Sequence, residues 1–281
     1  MLDDVVSYLR CPNCRAGLTR LDGVLRCSAG HSFDIARQGY VSLLAPGTPG
    51  GGGDTAAMVG ARREFLARGH YAGIAGALAD AATASVAAGP GAGCVVDAGA
   101  GTGYYLAAVL ERLPRHVGLA LDVSRPALRV AVRAHRRIGA VACDAWRPLP
   151  VADSAAELVL NVFAPRDGAE LRRILRPDGR LLVVTPAADH MAELIEALGL
   201  LTVDDRKQQR LADKLGPYFV LVGEREHRAV MTLDHAAVGA LVAMGPSSWH
   251  AGTGTADRIG RLPEPVPVTM AVRLAVLRPR H

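Results

Sequence analysis

The middle of the chain alternates between short, continuously apolar runs and stretches with helical periodicity. Five runs have the length of strands buried on both faces, at 94–96, 117–121, 140–142, 158–160 and 180–185. Helical periodicity occupies the segments between and after them, at 103–113, 125–137, 168–176 and 189–199. This alternation predicts an α/β fold, with a parallel sheet covered by helices on both faces.

The segments on either side of this core have other patterns. Two helices are predicted before it, at 55–69 and 71–88. After it, a helix is predicted at 235–244, and strands that close the sheet in antiparallel fashion are predicted at 220–222, 229–231 and 266–277. Residues 45–54 are rich in glycine and proline, which predicts a linker between a module at 1–44 and a domain at 55–281.

Composition bounds the class of protein. With 281 residues, half of them hydrophobic, the chain can bury a sizeable core. Its start lacks the features of a signal peptide, and none of its apolar runs reaches the roughly 18 residues of a membrane span. We therefore expect a soluble cytoplasmic protein without a membrane partner. The net charge of +5 comes almost entirely from arginine, which suits a polyanionic partner but is also typical of a high-GC genome.

Four candidate metal ligands stand near the start of the chain: Cys11, Cys14, Cys27 and His31. Their pattern is C-x2-C, twelve residues, then C-x3-H, and three thiolates with one imidazole close a tetrahedral Zn²⁺ site. The alternatives are four unrelated residues or one or two disulfides. Disulfides are disfavoured because the five cysteines are an odd number and no secretory signal precedes them. The sequence therefore predicts structural zinc, with a hairpin at 18–25 between the ligand pairs.

A glycine-rich loop follows the first strand of the core and opens a helix. It begins after Asp97 and consists of Gly99, Ala100, Gly101, Thr102 and Gly103. Glycines there permit a sharp turn and a close approach of ligand to backbone. Asp122, at the end of the second strand, can accept hydrogen bonds from both ribose hydroxyls of an adenosine ligand. Asp144, after the third strand, can meet the adenine amino group.

This arrangement resembles the class I S-adenosylmethionine-dependent methyltransferases, whose sheet is Rossmann-like. The resemblance implies that the loop cradles the methionine part of S-adenosylmethionine and that Asp97 orients the loop; a capping or turn carboxylate is the alternative. It also implies that the exit of the fourth strand faces the transferred methyl group. Asn161 at that exit offers a donor and an acceptor to the edge of a planar base, unless it belongs to an ordinary strand-end turn.

With the zinc quartet joined to this core, the chain resembles the 23S rRNA (guanine-N1)-methyltransferases of the tylosin- and mycinamicin-resistance type. Besides the quartet, the resemblance is carried by residues 33–44, 53–66, 69–71, 103–105, 164–165, 185–186 and His190. It implies that the quartet binds zinc and that Tyr71, the glycine loop and His190 contact the cofactor. It further implies methylation of N1 of a loop guanine in a 23S rRNA hairpin beside the peptide exit tunnel, where macrolides bind.

Parts of the mechanism stay open. Asp34, Asp167 and His190 are candidates for the base that removes the N1 proton, and each is also explained as a solvated charge. Arginines 125, 129, 133, 136 and 137 fall along one side of a predicted helix, as an RNA-binding stripe or as a solvated face. Trp249 could stack on a base or anchor a loop.

Two other functions are compatible with the pattern. The alternative enzyme is a small-molecule methyltransferase with an accessory zinc knuckle. A third interpretation is a non-catalytic, zinc-dependent RNA-binding or assembly protein. The sequence also allows a homodimer without requiring one.

Overall fold

The computed structural model describes residues 2–44, 53–86, 92–200, 213–245 and 254–280. Most of the predicted linker, the end of the second predicted helix and Trp249 lie outside the described residues. Within the described ranges, no helix has both the length and the apolar character needed to cross a bilayer.

The N-terminal module contains a small antiparallel sheet and one strand that leaves it. Its elements are a 3-10 turn (Val6–Tyr8) and the strands β1 (Leu18–Leu21), β2 (Val24–Cys27), β3 (Ser32–Asp34) and β4 (Val41–Ser42). The predicted hairpin is confirmed, since β1 pairs with β2 through a turn at Asp22 and Gly23. Both turn residues have positive φ, 41° and 87°, which matches the twist of a two-residue hairpin.

An eight-stranded sheet forms the centre of the molecule. After β4, its strands are β5 (Cys94–Ala98), β6 (Val117–Asp122), β7 (Ile138–Ala142), β8 (Ala156–Val162), β9 (Leu175–Pro186), β10 (Phe219–Leu233) and β11 (Val266–Pro279). Their spatial order is β10-β11-β9-β8-β5-β6-β7-β4. Strands β4 to β9 are parallel, whereas β11 is antiparallel to both of its neighbours. The predicted class I methyltransferase sheet, with its antiparallel closure, is confirmed.

Helices cover this sheet largely where the periodicity predicts them. They are α1 (Ala56–Ala67), α2 (Ala72–Ser85), α3 (Tyr104–Arg112), α4 (Arg125–Ala134), α5 (Gly168–Ile174), α6 (Ala192–Leu198), α7 (His235–Ala243) and α8 (Thr255–Gly260). Side-chain caps fix several starts. The Thr55 hydroxyl accepts a hydrogen bond from the Met58 N–H (3.2 Å), and Asp234 caps α7 in the same way.

Strand β10 differs from the prediction. The sequence predicts two short strands at 220–222 and 229–231, whereas the structure has one strand of 15 residues. It pairs with β11 along its whole length, with a single irregularity between Leu221 and Gly223. Because β10 is an edge strand and is exposed along most of its length, its middle carries polar residues and shows no apolar pattern.

The two faces of the large sheet have different covers. Helices α1 to α4, α6 and α7 pack on one face, and the N-terminal module contributes Val5, Leu9 and Leu25 to the core on the other. The backbone N–H of Arg10 donates to the Pro150 carbonyl at 3.0 Å. The module is therefore attached to the sheet by a shared core and by backbone hydrogen bonds.

The strand order places a crevice at one edge of the sheet. Strand β5 lies between β6 and β8, so the connections from β5 run to one side and those from β8 to the other. The carboxyl ends of the parallel strands β5 to β8 meet at the same edge. Ligands of open α/β sheets bind at this point, where the strand order reverses.

Candidate metal centre and cofactor site

The four predicted metal ligands lie together in the N-terminal module, with all ligand atoms within 4.8 Å of one another. The His31 Nδ1 atom is 3.6 Å from the Cys11 Sγ and 3.4 Å from the Cys27 Sγ. The Sγ atoms of Cys14 and Cys27 are 3.7 Å apart. Tetrahedral zinc bonds of about 2.3 Å to sulfur and about 2.0 Å to nitrogen would place such atoms about 3.5–3.8 Å apart. The quartet therefore fits a structural zinc ion.

Local turns assemble this quartet. The Cys11 carbonyl accepts a hydrogen bond from the Arg15 N–H (2.9 Å), and the Cys27 carbonyl accepts one from the Gly30 N–H (3.0 Å). Gly30 has a φ of 84°, so the second turn favours glycine there. Burial raises the pKa of the Cys27 thiol, but hydrogen bonds with His31 outweigh it and bring the pKa to about 6. The thiolate that a metal requires therefore forms readily near neutral pH.

The glycine-rich loop connects β5 to α3 as predicted. Positive φ angles of 87°, 53° and 74° occur at Gly99, Gly101 and Gly103. A Cβ atom at Gly99 would lie 2.4 Å from the Cβ of Ala164, so the loop touches the turn after β8. The side chains of Ala100 and Thr102 are buried. The loop consequently offers mainly its backbone to a ligand.

Asp122 ends β6 and organises the loop from the neighbouring strand. Its Oδ2 atom accepts a hydrogen bond from the Gly101 N–H at 2.7 Å, and its Oδ1 atom accepts one from the Ser124 N–H at 2.8 Å. Burial raises the pKa of Asp122, and these two hydrogen bonds oppose that rise. Each carboxylate oxygen keeps a further lone pair that a ribose hydroxyl could use.

Asp97 is the carboxylate most deeply placed in the crevice. Its side chain is 1% exposed, and its Oδ1 atom has no hydrogen-bond partner among the described residues. Burial raises the pKa of Asp97 to about 8, and the Asp122 charge adds to the rise. A buried acceptor without a donor lowers the stability of the folded state, because it has lost its hydrogen bonds to water. A ligand that brings a donor or a positive charge to this point would remove the penalty, so Asp97 fits a cationic cofactor.

Asp144 follows β7 at the same edge of the sheet. Its Oδ1 atom accepts a hydrogen bond from the Trp146 N–H at 2.9 Å. Trp146 is 64% exposed, and the Lys214 ammonium lies 5.4 Å from the centre of its ring. Asp97, Asp122 and Asp144 thus stand at the ends of three neighbouring strands, β5, β6 and β7. Whether Asp144 meets an adenine stays a prediction.

Tyr71 and His190 are far apart in the sequence but adjacent in the structure. The Tyr71 hydroxyl is 3.3 Å from the His190 Nε2 atom, and both side chains are buried. The Ala271 N–H donates to the His190 Nδ1 atom at 3.2 Å. Because Nδ1 is an acceptor, a neutral ring carries its proton on Nε2 and donates it to the Tyr71 oxygen. The Tyr71 proton is then free to point towards a ligand.

Asn161 has a structural task at the exit of β8. Its side chain is completely buried, and the amide nitrogen donates to the carbonyls of Ala98 (3.1 Å) and Pro165 (2.9 Å). Only its Oδ1 atom has no partner among the described residues. One bond ties Asn161 to the end of β5 and the other closes the turn after β8, so what remains for a ligand is one acceptor.

Two further residues at the crevice carry no distinguishing signal in the sequence. Arg62 on α1 forms an ion pair with Asp54 and donates to the Met244 carbonyl at 2.7 Å. One of its guanidinium nitrogens lies 3.4 Å from the point where a Cβ of Gly101 would stand. Phe163, directly after β8, has a φ of 53° and is 40% exposed. Its place beside the predicted Asn161 is the only hint that the sequence offers.

The three candidate bases have different surroundings in the structure. Both ring nitrogens of His190 have partners, so it has no free acceptor for a proton. Asp167 caps α5 by accepting hydrogen bonds from the N–H groups of Ala169 and Glu170. Asp34 ends β3 in the zinc module and is exposed. These contacts favour structural or solvated roles for all three.

The arginine stripe is shorter than predicted. Helix α4 ends at Ala134, and Arg125, Arg129 and Arg133 are exposed along it. Arg137 instead turns inward, where its guanidinium donates to the carbonyls of Leu110, Leu113 and His116. The helix ends because His135 has extended backbone (φ −156°, ψ 142°), although the periodicity in the sequence continues to Arg137.

Comparison with known proteins covers both parts of the chain. A family model described as "RlmA, N-terminal", a zinc ribbon, matches residues 9–46, and one described as "Methyltransferase domain" matches residues 95–179.

The chain is 53% identical over 281 residues to the 23S rRNA (guanine(748)-N(1))-methyltransferase of Streptomyces fradiae, with 99% of each chain covered. A Micromonospora griseorubida protein, assigned as a 23S rRNA (guanine-N(1)-)-methyltransferase, is 53% identical over 295 residues, covering 99% of this chain and 100% of that one. A Bacillus subtilis (strain 168) protein with the same assignment is 27% identical over 282 residues, with 96% of each chain covered.

Proposed function

The chain belongs to the family of 23S rRNA (guanine-N1)-methyltransferases, and from this premise we propose that it methylates N1 of guanine 748 in 23S rRNA. The observation that carries the proposal is 53% identity to the Streptomyces fradiae enzyme over 99% of both chains. We also propose that the target guanine lies in a hairpin loop and that its methylation confers resistance to tylosin-type macrolides.

The described residues fit S-adenosylmethionine. The backbone of the glycine loop would receive its methionine part, with Asp97 as the buried acceptor for its positive charge. Asp122 and Asp144 would receive the adenosine, and Tyr71 would donate its free proton beneath His190. When bound, the cofactor supplies a methyl carbon whose bond to sulfur breaks as its bond to guanine N1 forms, leaving S-adenosylhomocysteine and releasing the N1 proton.

The chain's own residues mainly hold the reacting groups in position. Asn161 fixes the turn after β8 against Ala98, so this turn has a constant distance from the glycine loop. In-line displacement at a sulfonium methyl gains most of its acceleration from such alignment. Because His190 has no free acceptor, the N1 proton does not pass to its ring in this arrangement.

RNA docking is proposed for the zinc module and the arginine face of α4. Arg26 and Arg37 of the module are exposed, and neither forms an ion pair within the described part of the chain. Exposed arginines without acidic partners can neutralise RNA phosphates. The four candidate metal ligands close a structural site with no open position, so the proposed task of the module is recognition.

The decisive experiment follows a labelled methyl group. Purified protein should transfer tritium from methyl-labelled S-adenosylmethionine to unmodified 23S rRNA, and primer extension should stop next to guanine 748, because N1 methylation blocks base pairing. Gly101→Asp, which places a carboxylate beside Asp122, should lose both cofactor binding and transfer. Transfer only to small molecules would support the alternative enzyme. Absence of any transfer by zinc-loaded protein would contradict an enzymatic function.

Three predictions about the whole protein accompany this function. We propose that it acts in the cytoplasm, where the ribosome is. The homodimer is tested by sedimentation of the zinc-loaded protein with and without RNA. The boundaries after residues 44 and 54 are tested by limited proteolysis, with cleavage expected first in the Gly/Pro-rich segment.

A further inference from the structure

Phe163 has a backbone conformation that a bulky residue rarely adopts. Its φ of 53° lies in the left-handed region, where the Cβ atom approaches the carbonyl oxygen. Its N–H nevertheless donates to the Val184 carbonyl at 3.1 Å, so the residue is held at the end of the strand ladder. Val162, one residue earlier, is only 7% exposed, whereas Phe163 is 40% exposed. The backbone turn thus directs a large apolar ring out of the sheet.

The ring rests on the residues that line the crevice. Its centre is 6.1 Å from that of His190, with the two planes 28° apart. The rings of Tyr71 and Tyr105 lie 6.3 Å and 6.4 Å away. One side of Phe163 is therefore supported by aromatic neighbours. Phe163 is nevertheless 40% exposed, more than a role in the hydrophobic core requires.

Phe163 is also fixed relative to the glycine loop. The next residue, Ala164, would touch any side chain at Gly99, and the Asn161 amide closes the turn onto Pro165. Strand β8 adjoins β5 on the side opposite β6 and β7, where Asp122 and Asp144 stand. The ring consequently lies on the other side of β5 from the place expected for an adenosine.

We propose that Phe163 is the stacking surface for the target guanine. The inference rests on the proposed function and deepens it. A guanine that is methylated at N1 must leave its stack and its base pair, and an aromatic face replaces the lost stacking. Phe163 supplies that face beside the loop that holds the methyl donor. Strained backbone conformations cluster at functional sites, and here the strain serves to present the exposed ring to the target base.

The test compares variants in steady-state methylation of a transcript of the 23S rRNA hairpin that contains guanine 748. Phe163→Leu keeps an apolar side chain and the positive φ but removes the π face. Its kcat/KM for RNA should fall about tenfold to a hundredfold, the range of base–aromatic stacking. Phe163→Tyr restores the face and should stay within about threefold of the wild type. The calorimetric Kd for S-adenosylmethionine should be unchanged in both.

A second measurement reports stacking directly. A transcript with 2-aminopurine at the target position becomes fluorescent when the base leaves the helix, and stacking on an aromatic ring quenches it. The flipped base should be quenched by the wild type and by Phe163→Tyr, and bright with Phe163→Leu. If Phe163→Leu does not fold, Phe163→Gly removes the ring and relieves the backbone strain, and it should behave as predicted for leucine.

Each contrary result has a distinct meaning. If the wild type methylates the transcript and Phe163→Leu does so equally well, the stacking role is wrong and the proposed function stands. If Phe163→Leu weakens cofactor binding as much as it lowers kcat/KM, the ring belongs to the cofactor site and the inference is overturned. If the wild type itself transfers no methyl group to RNA, both the proposed function and the inference fail.

Discussion

The metal centre and the cofactor crevice are built over very different lengths of chain. All four metal ligands come from residues 11–31, within two short turns and one hairpin. The crevice instead depends on contacts between distant residues: Asp122 binds a backbone group 21 residues away, and His190 one that is 81 residues away. A metal ion can hold the first region together with few other interactions. The second exists only when several strands have the correct register.

The two regions are nevertheless connected. Leu9 and Leu25 of the module share a hydrophobic core with Val96 and Leu119 of the large sheet. Strand β4 of the module also pairs with β7, the strand that Asp144 follows. Loss of the metal centre should therefore destabilise the crevice as well, whereas a substitution in the crevice should leave the zinc content unchanged. This asymmetry can be measured.

Loss of a zinc ligand should have the largest effect. In Cys27→Ala the quartet keeps three ligands, and structural zinc contributes about 10 kcal/mol or more in small zinc modules. The variant should lose bound zinc, unfold the module and melt at a clearly lower temperature. Cys94→Ala, which removes a buried thiol outside the quartet, should retain its zinc and lose only about 1 kcal/mol. A zinc-replete Cys27→Ala protein with an unchanged melting temperature would contradict the assignment.

Gly99→Ala should damage the crevice but spare the metal centre. The new methyl group would lie 2.4 Å from the Ala164 Cβ, at a φ of 87°. Positive φ costs about 1–2 kcal/mol and overpacking about 1–3 kcal/mol, so we expect about 2–5 kcal/mol of destabilisation and loss of cofactor binding. Zinc content should stay at one ion per chain. Gly239→Ala in α7, whose new methyl group meets no atom of the described residues within 4 Å, is the matched control and should leave cofactor binding unchanged and raise stability by up to about 1 kcal/mol. Normal cofactor affinity in Gly99→Ala would refute the contact with Ala164.

Asp97 makes the crevice sensitive to pH. Its pKa is raised from 3.8 to about 8 in the folded protein, so the folded state binds a proton that the unfolded state has lost. Stability conferred by the protonated group is complete below pH 3.8 and is lost as the pH rises to about 8. Between about pH 6 and pH 8, cofactor-free Asp97→Asn should show a flatter decline of the free energy of unfolding than the wild type.

Cofactor binding should reverse this effect. The positive charge of S-adenosylmethionine favours the ionised Asp97, so binding should release a proton near neutral pH. Calorimetry in buffers of different ionisation enthalpy measures that proton. Asp97→Asn should bind the cofactor more weakly and release none. Equal proton release from both proteins would show that another group titrates.

Loss of a contact between the module and the large sheet should have the smallest effect on stability. The Arg15 guanidinium donates to the carbonyls of Leu149 (2.8 Å) and Val151 (3.2 Å). Arg15→Ala should lower the free energy of unfolding by about 1–2 kcal/mol without loss of zinc. Arg37→Ala, an exposed arginine of the same module, should change it by less than about 0.5 kcal/mol. Equal effects of the two substitutions in urea unfolding would mean that these hydrogen bonds do not couple module and sheet.

The sequence predicted well what local chemistry decides. The spacing of the cysteines and His31 predicted a quartet whose ligand atoms do lie within 4.8 Å of one another. The Asp97–Gly103 loop also took its predicted place between β5 and α3, because positive φ at three glycines is a local requirement. Strand β10 was predicted only as two short segments, at 220–222 and 229–231, because pairing along an edge needs no apolar pattern in its polar middle.

Contacts between distant segments could not be predicted from local pattern. Arg137 fits the periodicity of α4, yet its guanidinium binds three carbonyls and lies beyond the end of the helix. Asn161 was expected to face a base edge, but both amide hydrogens are used inside the protein. Arg62 and Arg63 are alike as sequence neighbours, and only the fold brings Arg62 over Gly101.

The sequence by itself determined the zinc quartet, the glycine loop and the alternation that builds the sheet. These features depend on φ preferences, ligand chemistry and apolar periodicity, which act within a few turns of chain. Only the tertiary structure decided that His190 supports Tyr71, that Asp97 has a buried oxygen without a donor among the described residues, and that Phe163 is partly exposed. Burial and hydrogen-bond satisfaction depend on which distant segments meet, and that is set by strand order and register.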